Sequence, residues 1–140
     1  MPWTLETIHP LFVHFPIALF STGLFIDILS RLWKSYEEEL DSVGLWIMGM
    51  ALLSSTFTAL TGVITYIKQS TFSYFFNFHH GILAILSIII FSVLCWVRIE
   101  FQLEFRHSLL KRNIYLFIQI ISTSILFYAA HLGAIAAERI

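Results

Sequence analysis

The stretch LFVHFPIALFSTGLFIDILSRLW, Leu11–Trp33, decides the fold. It is apolar from end to end apart from Asp27, Arg31, His14 and a few hydroxyls, and it is long enough to cross a hydrocarbon core, which takes roughly 20 helical residues. Three further stretches of the same character follow, so that spans are expected at about residues 11–33, 43–67, 76–97 and 114–136. Four such segments in 140 residues leave almost nothing for a soluble domain. At 58% hydrophobic and 12% charged, the chain lacks the polar residues to cover a water-soluble globule. One domain, residues 1–140, is expected: an all-α integral membrane protein.

The connections are short, so neighbouring helices must run antiparallel and both termini must emerge on one side. Arg31, Lys34, Arg98, Arg106, Lys111 and Arg112 flank the first and third connections, against Lys68 and Arg139 on the other side. That asymmetry places the two charged connections in the cytoplasm and both termini on the outer, periplasmic side of a bacterial inner membrane. Met1–Phe12 has no Lys or Arg, so a cleavable signal peptide is not expected and the first helix is retained. Cys95 is the single cysteine, which rules out an intrachain disulfide. With net charge −1 and no extended basic run, nucleic acid is not an expected partner. The lipid bilayer is.

Pro16 removes the hydrogen bond that would reach the carbonyl of Phe12, so a kinked first turn or a separate short piece is expected before it. In lipid the freed carbonyl needs another partner. Asp27, inside a span, needs one too. Arg31 lies one turn later on the same helix and Arg98 is available from the third, so a structural ion pair among Asp27, Arg31 and Arg98 is expected, with Arg31 as the local choice.

The topology gathers five of the six histidines at one end: His9 and His14 on the first helix, His79 and His80 on the third, His131 on the fourth. Helical phase groups His14 with Ala18 and Ser21, His80 with Ala84 and Ser87, and His131 with Ser124; the second helix carries Ser54, Thr58, Thr61 and Thr65 at similar spacing. Small and hydroxyl residues line helix contacts in membranes. His14, His80 and His131 are therefore expected to point inwards, with His79 turned towards lipid or a partner and His9 at the rim. Independent placement would have spread the histidines over both ends, which favours a shared site over interfacial imidazoles that merely tolerate the headgroup region.

His9-Pro10-Leu11-Phe12-Val13-His14-Phe15-Pro16-Ile17-Ala18 resembles the opening signature of a bacterial family of small four-helix membrane proteins catalogued as domain of unknown function 2231. Asp27, Thr61-Gly62, a histidine opening the third helix and Arg98 closing it resemble the same pattern. His131-Leu132-Gly133 is similar to the His-Leu-Gly-Gly of members linked to c-type cytochromes, but Ala134 stands in place of the second glycine and Ala137-Glu138 in place of a later His-Gly. The resemblance implies a four-helix membrane domain in a respiratory or electron-transfer setting.

Three functions compete. A b-type haem needs two imidazoles from different helices at matched depth, and His14 with His80 or His131 meets that depth requirement; the partner would then be a redox protein such as a c-type cytochrome. Copper or zinc could be held by His14, His80 and His131, with a quinone site ranked below. The third is an accessory subunit of a larger respiratory or photosynthetic membrane complex, with no cofactor. No hydrolase, transferase or nucleotide motif is present, so independent catalytic activity is not expected.

Overall fold

The computed structural model describes residues 5–68, 74–102 and 107–136, with side-chain surroundings for 12–64, 79–102 and 107–135. Four long helices account for nearly all of it: α1 (Leu5–Leu32), α2 (Glu37–Lys68), α3 (Tyr74–Glu100) and α4 (Leu109–Ala136). Each contains a segment long and apolar enough to cross a membrane, Phe12–Leu32, Lys34–Ile64, His79–Glu100 and Leu109–Ile135. The chain is an all-α, multi-pass membrane bundle, with no strand among the described residues.

At the charged connections α2 and α4 begin before the expected spans and α3 ends beyond its own, while α1 stops at Leu32. A single 3-10 turn, Lys34–Tyr36, joins α1 to α2, and Glu37, Glu38 and Glu39 form the first turn of α2. Carboxylates there favour the positive end of the helix dipole, as Arg31 and Arg98 in the last turns of α1 and α3 favour the negative end.

Buried positions on every helix advance in alternating steps of four and three. They are Pro16, Phe20, Gly23, Asp27 and Ser30 on α1, and Asp41, Gly44, Met48, Ala51 and Ser55 on α2. On α3 they are Ser87, Phe91, Leu94 and Arg98, and on α4 Arg112, Tyr115, Gln119, Ser122, Leu126 and Ala129, with Thr123 and Leu132 alongside. A mean step of 3.5 residues is the coiled-coil seam, which keeps one face of each helix on its neighbours through a slight left-handed supercoil. Helix α1 packs on α2 and on α4, and α3 on α4 and on α2. The diagonal pair α1 and α3 meets through side chains at the centre, where the rings of Phe20 and Phe91 stack with centroids 3.8 Å apart.

The α3–α4 contact has polar rungs one heptad apart on both helices. His80 Nδ1 lies 2.6 Å from the Ala129 carbonyl oxygen, and Ser87 Oγ donates to the Ser122 carbonyl at 2.8 Å. Nearer the connections the Arg98 guanidinium lies over the Tyr115 ring, 5.6 Å from its centroid. On the α1–α2 side Gly23 lets the helices close, since a Cβ there would already touch Ile47 at 3.5 Å.

Pro16 does not divide the first helix. Helix α1 runs unbroken from Leu5 to Leu32, and the carbonyl of Phe12, which Pro16 cannot serve, accepts a hydrogen bond from Thr58 Oγ1 of α2 at 3.0 Å. A hydroxyl from the next helix thus replaces the missing N–H.

Candidate functional site

The two ends of the bundle differ in kind. At the connecting end the polar groups face inwards and bind one another. Arg98, 3% exposed, places Nη1 2.8 Å from both oxygens of Asp27, and Gln119 Nε2 donates to Asp27 Oδ2 at 2.9 Å. Arg98 Nη2 turns to α2, donating to the Asp41 carbonyl oxygen at 2.6 Å and lying 3.7 Å from Asp41 Oδ1. Arg112 of α4 sits between Glu37, which it meets through Nη1, and Asp41, whose Oδ1 is 3.8 Å from Nη2. Tyr115 closes the group, its hydroxyl 3.5 Å from both Arg98 Nη1 and Met48 Sδ.

Two guanidiniums, Arg98 and Arg112, and three carboxylates, Asp27, Glu37 and Asp41, meet here, from all four helices; counted with Arg31, which lines the same space, their formal charges cancel. Cancellation is what permits charge at this depth. An isolated ion would carry several kcal/mol of desolvation cost, which only close, well-bonded partners offset. Gly44 is the backbone condition for the arrangement: a Cβ there would run into Asp27 Oδ1 and stand 3.2 Å from Arg98 Nη2.

The local pairing of Asp27 with Arg31 does not form. Helix α1 turns the Asp27 carboxylate into the interior, while Arg31 reaches sideways to α4, donating from Nη1 to Asn113 Oδ1 at 2.7 Å and from Nη2 to the Arg112 carbonyl. Glu37, Asp41, Arg112, Tyr115 and Gln119 were absent from the sequence expectation. Gln119 was the available signal. A primary amide in mid-span has to face a polar partner, and steps of four and seven back from it reach Tyr115 and Arg112.

At the other end the expected inward trio is not assembled. His14 and His131 are exposed on the outside of α1 and α4, as is His79 on α3. His9 lies within α1, with its side chain outside the described set. His80 faces a neighbouring helix. Its ring rests on Gly133, where a Cβ would come within 2.9 Å of Nδ1 and Cε1. Because the Ala129 carbonyl can only accept, Nδ1 carries the proton and Nε2 keeps the lone pair of the neutral ring.

The phase assigned to His14 and His131 rested on hydroxyl residues, and those satisfy themselves. Ser21 donates to the Ile17 carbonyl at 2.7 Å and Ser124 to the Ile120 carbonyl at 2.9 Å, each on its own helix. Such a residue reports no face. Ala18 and Ser124 are accordingly exposed, whereas the His80–Ala84–Ser87 stripe of α3 does follow the buried seam.

His14 and His131 are exposed, whereas the His80 ring is half-buried against α4. Among the described residues no three His, Cys, Asp or Glu side chains come together as a metal-ion group, so a copper or zinc site from His14, His80 and His131 is not formed within one chain.

Fold and site together define a small multi-pass membrane protein, closed at one end by a charge-neutral side-chain network and displaying imidazoles on the outside of the other. Over residues 5–140 the sequence matches the family model described as predicted membrane protein (DUF2231), and the chain belongs to that family, domain of unknown function 2231. No curated protein and no solved structure matches it.

Proposed function

We propose that the chain is a membrane-embedded accessory subunit without catalytic activity of its own, and that its working surface is the outside of the bundle at the end carrying the histidines. The observation that carries this reading is the exposure of His14, His79 and His131 on three different helices. Ionisable groups within spans ordinarily turn inwards or pair, and this protein does so with every buried charge at its connecting end. Exposed on the exterior, the His14, His79 and His131 rings also face whatever lies beside the bundle. The charge asymmetry of the connections favours the bacterial inner membrane, with this end on the periplasmic side and a membrane or periplasmic redox protein as neighbour.

A second reading moves the b-type haem to the outside of the bundle, between this chain and that neighbour. It is favoured by His80, whose Nδ1–H is held by a backbone carbonyl, the arrangement that presents Nε2 to a metal. When bound, the haem would supply one-electron transfer.

Native electrophoresis of gently solubilised membranes separates the possibilities. The accessory reading expects the wild-type chain in an assembly larger than itself, and the triple replacement of His14, His79 and His131 by alanine to release it with its own thermal stability unchanged. Migration of the wild type as a lone monomer refutes that reading. A Soret band in the purified assembly that is lost in His80→Ala favours the haem.

A further inference from the structure

The connecting end contains a small cavity of about 10 Å³ lined by the polar side chains of Asp27, Ser30, Arg31, Asp41, Arg98 and Tyr115 together with Leu116, so that polar and apolar surface share its walls about equally. We propose that this cavity is a binding site for a single water molecule, which exchanges with the aqueous phase at the connecting end through the gap between Arg31 and Leu116.

Size, charge and hydrogen bonding each narrow the occupant. A water molecule needs roughly 10–15 Å³ of such space and two to four polar partners, and the walls supply both. A cation would meet the guanidiniums of Arg31 and Arg98, and an anion the carboxylates of Asp27 and Asp41. With two of each sign around the space, neither ion gains, whereas a neutral molecule that both donates and accepts is served by all four charged side chains. Asp27 adds an independent requirement. Its Oδ1 is buried and, beyond the ion pair with Arg98 Nη1 at 2.8 Å, has no hydrogen-bond partner among the described residues. A buried carboxylate oxygen left in that condition is costly, and water is its usual remedy.

The route follows from burial. Asp27, Ser30, Asp41, Arg98 and Tyr115 are buried, and the half-buried Arg31 and Leu116 are the lining residues that reach the surface, one on α1 and one on α4. The water therefore enters between these two helices, where Arg31 already spans the gap to Asn113. Its presence also bears on the charges themselves, because penetration by even one water lowers the effective penalty for holding ions inside protein.

Brief X-ray radiolysis of the full chain in lipid nanodiscs tests this, since hydroxyl radicals form from water and oxidise the side chains beside it. Tyr115 is 4% exposed and Phe20 and Phe91 are 1% and 0% exposed, so access from bulk solvent does not distinguish them. The proposal expects oxidation of Tyr115, none above background at Phe20 and Phe91, and loss of the Tyr115 signal in Leu116→Phe while the exposed Tyr36 still reacts. Tyr115 as silent as Phe20 and Phe91 in a sample whose Tyr36 is oxidised overturns the water site. Tyr115 oxidation that persists in Leu116→Phe overturns the route, and equal oxidation of all three rings shows that the bundle opens as a whole and overturns both.

Discussion

Replacing Asp27 by alanine tests the energetic reading of the connecting end most directly. Removing one member of a buried ion pair costs about 3–5 kcal/mol, mostly because the other member is left charged in a poor solvent. Arg98 would not be wholly stranded, since it keeps the Asp41 carbonyl oxygen at 2.6 Å and Asp41 Oδ1 at 3.7 Å. Gln119, 0% exposed, would lose the acceptor of its Nε2 as well. The two effects act in opposite directions and place Asp27→Ala near the lower end of the range, at about 3 kcal/mol. If the loss is chiefly the unpaired charge, removing it should recover much of the cost: Asp27→Ala with Arg98→Leu should fall short of the summed single effects by at least about 1.5 kcal/mol, outside the few tenths allowed to independent sites. Reversible unfolding in mixed micelles of increasing denaturing-detergent fraction, followed by circular dichroism, measures all four corners of the cycle. Additive single effects, or a cost for Asp27→Ala below about 1 kcal/mol, would refute the claim that these charges hold one another.

Three other outcomes follow from particular contacts. Thr58→Val should cost about 0.5–1.5 kcal/mol in the wild type and nearly nothing in Pro16→Ala, where the restored N–H serves the Phe12 carbonyl; the same detergent titration reads both. Gly133→Ala should push the His80 ring off α4, with a loss of about 1–3 kcal/mol and a change in the imidazole nitrogen shifts seen by NMR, because the new Cβ would stand 2.9 Å from Nδ1. Reporter fusions at the two termini should be active in the periplasm and a reporter inserted at Ser35 in the cytoplasm; the reverse pattern overturns the orientation drawn from the basic residues.

How far the sequence was legible depended on which side chains can satisfy themselves. Hydropathy and length were sufficient for four helices and their antiparallel order, because backbone groups in lipid have no alternative to helix. The Pro16 argument correctly required a partner for the Phe12 carbonyl, but not its identity, since nothing local marks Thr58 as the hydroxyl that arrives from α2. Facial assignment went astray where it leaned on Ser21 and Ser124, whose hydroxyls bond their own helices. Asp27 and Gln119 cannot be satisfied in that way so readily, and each lies on the true seam. Counting back from Asp27 by four, seven and eleven gives Gly23, Phe20 and Pro16, all buried.

The same distinction explains why the candidate site moved from one end of the bundle to the other. Histidines drew notice at the terminal end because of their chemistry, yet an imidazole near an interface can face outwards at little cost. The acids and bases of the connecting end resembled ordinary loop residues: Glu37 and Asp41 sat in an acidic run, and Arg112 in a mixed connection. Their burial depends on three helix ends being extended together, with α2 starting at Glu37, α3 continuing to Glu100 and α4 starting at Leu109. Each extension alone would bury an unpaired charge. Made jointly, they bring Glu37 to Arg112, Asp41 to Arg98, and Arg98 to Asp27, so that each charge lowers the cost of burying the next. Helix length at this end is therefore a collective property of five side chains from four helices, and Asp27→Ala should shorten the protected segments of α2, α3 and α4 at their connecting ends as well as destabilise the bundle. Amide hydrogen exchange localised to residues 37–41, 96–100 and 109–113 reads that shortening, and unchanged protection there would show that the helix ends are set by hydropathy alone.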